Sequence, residues 1–441
     1  MMKKFLFGAI AMLLLTVTGC RNDDFNSTQQ IKPVPFKVIT HYDRSYGDQK
    51  PNAASVTITN LETQEKIEKQ TDANGEVSLS ELLPGEYNVS ITQKLSAEEF
   101  LEIFGYNLTG QDEITFNGSQ EKVVVNSNTS SVTISLTAGT IGSLVLKQIY
   151  YAGSDVKKGA VFRDQFVEIF NNSNEVQYAD GLYFAQLKGN GSKKVDGYTL
   201  ANGQYDWSKS AGNNIGSAAN TDYVYAIYVY KIPGTGKQYP INPGESIVIA
   251  ATAINHKEPI LDNSGNPIKI EDPELTVDLK NADFEGYLGN YRQSIGQPVY
   301  FTDIDNPSVP DLEVIHMGEG AKDFLLNPQG RESMVIFRAT EAEVAAYPKV
   351  YLPNGDKKYQ YLRLPNTAII DGVDLNLKDQ GRPKQLADNI DSQYTFTALG
   401  AYSSSCVMRK VKTTVNGRKI LQDTNNSQQD FTTVRANPRG F

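Results

Sequence analysis

Histidine and cysteine are scarce in this sequence. Its 441 residues include three histidines and two cysteines. The histidines, His41, His256 and His316, are far apart along the chain, whereas metal sites are usually built from His and Cys at short, regular spacings. The scarcity argues against a multi-histidine or cysteine-rich centre, and we predict no metal site and no cofactor.

An excess of basic residues, the usual footprint of a nucleic-acid-binding protein, is also missing. The chain has 42 Lys and Arg against 51 Asp and Glu, which gives a formal net charge of −9. Removing the first nineteen residues, for reasons given below, takes away Lys3 and Lys4 and leaves 40 basic against 51 acidic residues, or −11. The sequence therefore predicts no nucleic-acid partner.

Familiar catalytic patterns are missing as well. The sequence has no Gly-x-Ser-x-Gly, no His-Glu-x-x-His, no phosphate-binding loop and no dinucleotide-binding glycine pattern. Acidic pairs such as Asp303/Asp305 and Asp283/Glu285 arise by chance among 51 acidic residues. We predict that the protein is not an enzyme and has no catalytic residue. The hydrolase alternative requires two carboxylates that face each other across a cleft, about 5–9 Å apart in a glycosidase.

The first twenty residues have the composition of an export signal. Lys3 and Lys4 precede an apolar run of about thirteen residues, 5–17, which is short for a bilayer span. The run ends in Val-Thr-Gly-Cys20, which resembles a bacterial lipobox. The resemblance implies cleavage after residue 19 and lipidation of Cys20, because two or three acyl chains anchor a protein stably. The alternative is a plain secretory signal with a chance cysteine.

Asp23 and Asp24 follow closely on this cysteine. Paired acidic residues at this place resemble the export signal of Bacteroidetes surface lipoproteins, which implies an outer-membrane location facing the cell exterior. The alternative is a merely polar spacer. Residues 20–34 are polar and have no periodicity, so we predict a lipidated, flexible tether there.

The composition is that of a globular protein, with 39% hydrophobic and 21% charged residues. Short stretches at about 36–40, 54–59 and 87–91 alternate between apolar and polar residues, and Asn74-Gly75 and Pro84-Gly85 supply turns. The pattern predicts a small β-sandwich over about 35–140. It resembles the carboxypeptidase-regulatory-like, transthyretin-like Ig domain, a fold that carries no catalytic implication.

Residues 141–441 have a second set of strand patterns. The order Ile149-Tyr-Tyr, Phe166-Val-Glu-Ile-Phe-Asn-Asn and Ala-Asp180-Gly-Leu resembles the opening of lamin-tail-type Ig-like domains. Such a domain needs little more than a hundred residues, so we predict a larger β-sandwich with insertions at about 185–240 and 255–330.

The whole layout resembles a Bacteroidetes lipoprotein family, domain of unknown function 4876. The lipobox, the Ig-like domain, the lamin-tail-like opening and the closing segment Asp423-Thr-Asn-Asn-Ser…Asp430-Phe all fit this family. Members tend to accompany TonB-dependent outer-membrane transport systems, and the resemblance implies nutrient capture at the cell surface. This is an association and not a mechanism.

Several polar residues that resemble reactive groups are better explained as structural. We predict that Glu168 is a buried carboxylate held by amides, that Asp371 belongs to an Asp-Gly turn, and that Cys406 is a small buried residue on a strand. The segment 262–266 has oxygen ligands close together, as calcium loops do, but its glycine is misplaced for an EF-hand. We therefore interpret it as a turn.

Tyrosine and the lone tryptophan concentrate in one segment, 198–239. Tyr205, Trp207, Tyr223 and Tyr225 are the candidate ligand- or partner-binding surface, because such side chains offer large, rigid and amphipathic contact area. The competing interpretation is a broad sandwich face packed with tyrosine. Alternation along the strand at 223–230 predicts Ile227 and Val229 on the same face as Tyr223 and Tyr225, with Tyr228 and Tyr230 opposite.

These observations favour a mostly β, membrane-anchored surface lipoprotein. The leading expectation is a non-catalytic binding or accessory component of a TonB-dependent nutrient uptake system, with iron compounds among the candidate cargoes and a TonB-dependent receptor as a partner. The alternatives are a glycan-binding accessory lipoprotein of a polysaccharide uptake system, in which Trp207 and its tyrosines would be exposed and planar, and a structural or adhesion protein. The small ligand or glycan is not identified by the sequence.

Overall fold

The structure, a computed structural model, describes most of the chain beyond the predicted tether. The described residues are 32–42, 46, 49–105, 113–138, 144–173, 175–191, 196–377, 382–415 and 417–441. Cys20, Asp23 and Asp24, the predicted lipidation and export-signal residues, lie outside these ranges. Among the described residues, no helix has the length and apolar character needed to cross a bilayer.

The first module is built from seven strands. They are β1 Val34–Tyr42, β2 Ser55–Asn60, β3 Lys66–Gln70, β4 Glu76–Leu82, β5 Gly85–Ser96, β6 Glu113–Val125 and β7 Ser131–Ala138. Hydrogen bonds between neighbouring strands place them in the order β3-β2-β5-β6-β7-β1-β4. All neighbours are antiparallel except β1 and β7, which run parallel.

Strict alternation along these strands builds the first core. In β5, Tyr87, Val89, Ile91 and Leu95 are buried while the residues between them are more exposed. Since side chains of a strand point alternately to opposite faces, one face packs inward and the other meets water. The predicted β-sandwich over about 35–140 therefore has its physical basis in period-two burial.

A short helix closes one side of this module. The five α-helices of the described chain are α1 Ala97–Phe104, α2 Ala218–Thr221, α3 Gly289–Ser294, α4 Glu341–Ala346 and α5 Ser427–Asp430. In α1, Ser96 and Glu99 form a capping box and Gly105 ends the helix at φ 79°. Phe100 and Phe104 then pack against Phe116 of β6.

The second module contains the remaining strands. They are β8 Leu144–Tyr150, β9 Phe166–Asn171, β10 Gln177–Tyr178, β11 Tyr183–Leu187, β12 Tyr223–Lys231, β13 Pro240–Ile241, β14 Ser246–Ala250, β15 Ile260–Leu261, β16 Pro267–Ile268, β17 Phe284–Glu285, β18 Glu313–Met317, β19 Met334–Phe337, β20 Lys349–Tyr351, β21 Gln360–Pro365, β22 Ile369–Val373, β23 Ser405–Arg409, β24 Val411–Val415, β25 Arg418–Leu421 and β26 Phe431–Arg435. Among the described residues of this module, 3-10 helices occur at Trp207–Lys209, Pro273–Leu275 and Asn366–Ala368.

Two large sheets face each other in this module. One has the order β17-β14-β9-β8-β23-β26, and the other has the order β20-β21-β12-β11-β19-β22 with β18 also paired to β12. Leu146, Ile169 and Ile249 of the first sheet share one core with Phe184 and Ile336 of the second. The predicted fold class, mostly β with two successive sandwiches, is confirmed.

One of the predicted insertions supplies the centre of a sheet. The interval 185–240 contains β12, which pairs with β11 on one side and with both β21 and β18 on the other. The interval 255–330 contains the edge strand β17 and the strand β18. Both intervals therefore contribute strands to the two facing sheets, in addition to loops.

A β-bulge changes the predicted faces of β12. The pairing register with β11 shifts between Gln186 and Leu187, and the register with β18 shifts between Val229 and Tyr230. Tyr225 and Ile227 share one apolar cluster, as predicted, but Val229 lies in the opposite cluster. Tyr228, predicted on the opposite face, packs against the cluster of Tyr225 and Ile227. The predictions for Val229 and Tyr228 were wrong because a bulge inserts a residue and reverses the alternation beyond it.

Glu168 is fully buried on β9, as predicted, but amides are only some of its partners. Its Oε1 accepts hydrogen bonds from Lys147 Nζ at 2.8 Å and from the Ser246 hydroxyl at 2.5 Å, and its Oε2 accepts from the Gln148 side chain at 3.0 Å. Lys147 is itself 1% exposed and lies where the β8–β9 register shifts. The bulge lets Lys147 reach a carboxylate on the neighbouring strand, so the charge is paired inside the module.

The closing segment forms a buried ionic cluster around Arg409. The guanidinium binds Asp371 at 2.8 Å, Asp423 at 2.9 Å and Asp430 at 3.4 Å, and all four side chains are at most 2% exposed. Asp371 lies on β22 and not in a turn, so the predicted turn was wrong. A carboxylate in a strand can face a cation on another sheet, which Asp-Gly spacing alone does not reveal.

Hydrogen bonds join the two modules. Asn117 of β6 donates from Nδ2 to the Thr424 carbonyl at 2.6 Å. The backbone N–H and the hydroxyl of Ser119 donate to Asp388 at 2.6 and 3.0 Å. The outer surface of β6 therefore rests on the closing segment and on the loop after β22.

Candidate functional site

Trp207 does not lie on an exposed platform. Its indole is 5% exposed and stacks on Tyr225, with ring centroids 3.6 Å apart and planes 10° from parallel. Asn220 Oδ1 accepts the Trp207 backbone N–H at 2.7 Å, and Tyr225 donates its hydroxyl to the Ala219 carbonyl at 2.7 Å. The exposed, planar arrangement expected under the glycan alternative is therefore wrong for Trp207 and Tyr225, because both rings are packed against each other.

Tyr205 and Tyr223 are half-buried beside this stack. Tyr205 meets Trp207 edge-on with ring centroids 5.9 Å apart, and the Arg363 guanidinium lies 4.9 Å from the Tyr223 ring centroid. The structure thus brings the four predicted residues together, two of them as packed support and two as partly accessible rings. That these four residues form a ligand- or partner-binding surface stays a prediction.

A cavity of about 330 Å³, here called the central cavity, opens next to these rings. Its volume lies in the range of small-molecule sites. It lies between the two modules, and its lining includes Ser119, Gln120, Glu121, Gln204, Tyr205, Trp207, Asn220, Tyr223, Tyr225, Asn366, Lys384 and Asp388. All four predicted aromatic residues line it, together with a wall from β6 that the sequence did not indicate.

Charged side chains of the central cavity are largely paired. Lys384 binds Asp388, which also accepts both hydrogen bonds from Ser119. Burial raises the pKa of the half-buried Glu121 to about 7, against a partial opposing effect of Lys384. A buried carboxyl without a full partner favours its neutral form, so the cavity carries little net charge near neutral pH.

A second cavity of about 380 Å³, here called the side cavity, adjoins the first. Lys188 and Tyr205 line both cavities. Glu319, in the side cavity, accepts a hydrogen bond from Lys188 Nζ at 2.6 Å and another from the Tyr361 hydroxyl at 2.6 Å. Burial, aided by the charge of Glu319, raises the pKa of Glu332 to about 7.

The side cavity is therefore lined by two carboxylates, which is one of the features that the hydrolase alternative requires. Glu319, however, is committed to a lysine and a tyrosine, and the pair was not visible in the sequence because Glu319 and Glu332 lie on different segments. Gly189, Asn190 and Gly191 also line this cavity.

One carboxylate cluster elsewhere has the spacing of a metal site. Ligand oxygens of Glu285, Asp305 and Asp311 lie within 4.8 Å of one another. Burial, with contributions from Asp311 and Asp305, raises the pKa of Glu285 to about 8. Glu285 already accepts backbone hydrogen bonds from Ala253 at 2.9 Å and Asn306 at 2.7 Å. Oxygen donors of this kind suit Ca²⁺, while at neutral pH retained protons relieve the repulsion without an ion.

The acidic residues that are paired in the sequence have different neighbours in this cluster. Asp283 separates from Glu285 and binds Arg439 at 2.5 Å and the Val248 backbone N–H at 2.7 Å. Asp305 joins Glu285, which lies twenty residues earlier in the chain, because β17 runs beside the segment that contains residue 311. Residues two apart share a face only within a regular strand, and Asp283 lies before the first residue of β17, so the spacing in the sequence does not hold the two carboxylates together.

The described reactive residues outside the cavities have structural roles. His256 and His316 bind backbone carbonyls at 3.0 and 3.1 Å, and burial lowers the pKa of each to about 4. Cys406 is buried on β23, as predicted, and burial raises the pKa of its thiol. The segment 262–266 forms the predicted turn, in which Asp262 accepts hydrogen bonds from the Ser264 and Asn266 backbone.

Comparison with known proteins supports the family resemblance in part of the chain. Residues 242–437 match the model of the family described as Protein of unknown function (DUF4876). Over these residues the chain is similar to the DUF4876 family, which confirms that part of the resemblance stated from the sequence. The matched region runs from the turn before β14 to the end of the closing segment.

Three solved structures are similar to this chain. A DUF4876 family protein from Bacteroides thetaiotaomicron is 23% identical, with 91% of this chain and 95% of that chain covered and a TM-score of 0.48. A candidate adhesin from Bacteroides ovatus is 9% identical, with 80% and 89% covered and a TM-score of 0.19. A DUF3823 family protein from Bacteroides ovatus is 11% identical, with 49% and 98% covered and a TM-score of 0.14.

The search of curated proteins gives no match. The descriptions of the family and of the three structures name no catalytic activity.

Proposed function

We propose that this protein is a lipid-anchored accessory protein on the outer face of the outer membrane, which binds a ligand in the central cavity without changing it chemically. Its place would be beside a TonB-dependent receptor in a nutrient uptake system. The membrane location rests on the lipobox-like ending at Cys20 and on Asp23 and Asp24. The link to uptake rests on the family resemblance.

The observation that carries the binding role is the central cavity itself. A wall from β6 of the first module faces the half-buried rings of Tyr205 and Tyr223 in the second. The β6 wall and Tyr223 of β12 belong to sheets with buried cores, and the Ser119–Asp388 hydrogen bonds join the two modules beside the cavity. A rigid scaffold that presents a cavity of ligand size favours a binding protein.

The polar groups around the cavities support a non-catalytic role. Glu319 is held by Lys188 and Tyr361, and Asp388 is held by Ser119 and Lys384. A general acid or base has to be free to exchange its proton with a substrate, whereas these carboxylates are fixed by hydrogen bonds. Glu332, with its raised pKa, is the group to test for the hydrolase alternative.

The anchoring part is tested by replacing single residues of the export signal in a Bacteroides host. The wild-type protein should incorporate an alkyne-labelled fatty acid and be degraded by protease added to intact cells. Cys20→Ala should lose the label, and the double variant Asp23→Asn, Asp24→Asn should keep it and become protected. An unlabelled wild-type protein in the cytosol would contradict the proposal.

The binding part is tested by purifying the native protein from solubilised outer membranes and identifying its companions by mass spectrometry. Recovery of a TonB-dependent barrel at comparable abundance supports the uptake role, and recovery of the protein alone would reject receptor docking. Loss of a measured turnover in Glu332→Gln, with unfolding unchanged, would reject the non-catalytic role.

A further inference from the structure

The central and side cavities meet at two shared residues. Lys188 and Tyr205 line both, with about 330 Å³ on one side and about 380 Å³ on the other. Tyr205 is half-buried, and its ring is steadied by the edge-on contact with Trp207 at 5.9 Å. The two cavities therefore adjoin at the aromatic side chain of Tyr205, and the pair of cavities is here called the groove.

The groove is close to electrically neutral. Lys188 is paired with Glu319 at 2.6 Å, and Lys384 is paired with Asp388. The remaining charged groups of the lining are the Arg331 guanidinium in the side cavity and the carboxyls Glu121 and Glu332, whose pKa values burial raises to about 7. One cation is thus set against two partly ionised carboxyls. An anionic ligand such as a ferric carboxylate or catecholate chelate requires a surplus of positive charge in its site, and the paired lysines and Arg331 together do not supply one.

Hydrogen-bonding side chains also line the central cavity of this groove. Within the described part of the chain, Asn366 Oδ1 is buried without a hydrogen-bond partner and belongs to the lining of the central cavity. Gln204, nearby in the same lining, presents a side-chain amide whose oxygen accepts and whose nitrogen donates. A hydroxyl group can donate to one such oxygen and accept from another amide, so these groups suit a ligand rich in hydroxyls.

We propose that the joined cavities bind a neutral oligosaccharide whose hydroxyls meet the amides of Gln204 and Asn366 and whose ring faces pack on Tyr205. This inference rests on the proposed binding function and names its ligand class. The half-buried tyrosine provides an amphipathic surface that suits the apolar face of a sugar ring. The volumes of the two adjoining cavities, about 330 and 380 Å³, predict a ligand of several sugar units with one end in each cavity.

The inference is tested with the full-length lipidated protein in detergent. It is applied to an array of neutral and anionic oligosaccharides, and positive ligands are titrated by calorimetry in lengths from two to six units. Ferric citrate is titrated as an anionic metal chelate. Neutral oligosaccharides should bind, and affinity should rise with length until both cavities are filled.

Two pairs of variants connect binding to the groove. Tyr205→Ala and Gln204→Ala should weaken oligosaccharide affinity at least tenfold. Tyr359→Ala and Gln293→Ala are matched controls, because both residues are exposed and lie outside the lining of either cavity, and they should leave affinity unchanged. Glu332→Gln, which alters the side cavity alone, should weaken long ligands and spare short ones. Thermal unfolding of each variant checks that the protein is folded.

The outcomes separate the inference from the function on which it rests. Binding of anionic glycans alone, or of none, overturns the inference, as does equal affinity for short and long ligands. Tyr205-dependent binding of ferric citrate in that case leaves the proposed binding function intact with a different ligand. Oligosaccharide affinity that is unchanged in both Tyr205→Ala and Gln204→Ala overturns the groove as the site.

Discussion

Arg409 shows at the level of a single residue how this protein handles buried charge. Its guanidinium faces three carboxylates, and its Nε donates to the Leu146 carbonyl at 3.0 Å. The cluster joins β22, β23 and the closing segment, so one side chain connects elements that are far apart in sequence. Such a cluster is weak evidence for net stabilisation, but removing one partner leaves buried charges without compensation.

We expect Arg409→Met to destabilise the protein by about 3–5 kcal/mol, because Asp371, Asp423 and Asp430 would remain buried without a cation. Denaturant unfolding monitored by circular dichroism measures the change. Arg439→Met is the matched control: its pair with Asp283 at 2.5 Å is 44% and 33% exposed, so its loss should cost less than about 1 kcal/mol. Equal effects of the two substitutions would contradict this interpretation.

Trp207 is the sole tryptophan of the chain, so its fluorescence reports on the candidate site alone. Since the indole is 5% exposed and stacked on Tyr225, we expect blue-shifted emission and weak quenching by acrylamide in the native protein. On unfolding in guanidinium, the emission should shift to longer wavelength and quenching by acrylamide should become efficient. Native quenching as efficient as that of free tryptophan would show that the indole is accessible and that the stack is not formed.

At the level of elements, turns and bulges decide where strands place their side chains. The bulge in β12 puts Val229 on the face opposite Ile227. The Asn74-Gly75 turn between β3 and β4 places Gly75 at φ 75° with its hydrogen bond to Asp72. A simple alternation rule follows the strands correctly until such an irregularity occurs.

Gly75→Ala should destabilise the protein by more than about 2 kcal/mol, because a Cβ there would lie 2.7 Å from the Thr40 carbonyl oxygen in addition to the strain of positive φ. Gly265→Ala is the control, with φ 80° and no atom within 4 Å of the added Cβ, and it should cost about 1 kcal/mol. Thermal and denaturant unfolding measure both. A smaller loss of unfolding free energy for Gly75→Ala than for Gly265→Ala would be inconsistent with a steric clash between the added Cβ and the Thr40 carbonyl.

At the level of the whole molecule, buried carboxyl groups with raised pKa values occur in both cavities, in the Glu285 cluster and in the core. Burial raises the pKa of Glu285 and of Asp391 to about 8, and that of Asp164 and Asp303 to about 7. The folded protein therefore holds protons that the unfolded chain, with ordinary carboxyl pKa values near 4, has already released. Stability is consequently linked to pH across a broad range.

We expect the unfolding midpoint to fall as pH rises from 6.5 to 8 and then to level off. A carboxyl whose folded pKa is raised contributes stability that is present at low pH and lost as pH rises to that pKa, about 1.4 kcal/mol per group and pH unit. Glu285 and Asp391 dominate in this window. Below pH 6.5, the lowered pKa values of His256 and His316 act in the opposite direction. A midpoint that rises between pH 6.5 and 8 would contradict the assignment, and differential scanning calorimetry measures it.

The sequence by itself determined the local features of this protein. Period-two alternation predicted the strands of the first module, Asn74-Gly75 and 262–266 predicted turns, and the apolar surroundings of Glu168 and Cys406 predicted buried structural residues. Each of these follows from neighbours along the chain, because side-chain direction in a strand and backbone conformation at glycine are local properties. The family resemblance was likewise carried by short segments in a fixed order.

Only the tertiary structure decided which distant residues meet. It placed β12 at the centre of a sheet although it lies in a predicted insertion, brought Asp371 to Arg409, and set Glu285 beside Asp305 and Asp311. It also buried Trp207 and brought Ser119 and Glu121 of the first module to the wall of its cavity. These contacts depend on sheet order, on bulges and on the packing of one module against the other, none of which is encoded in the spacing of residues within a segment.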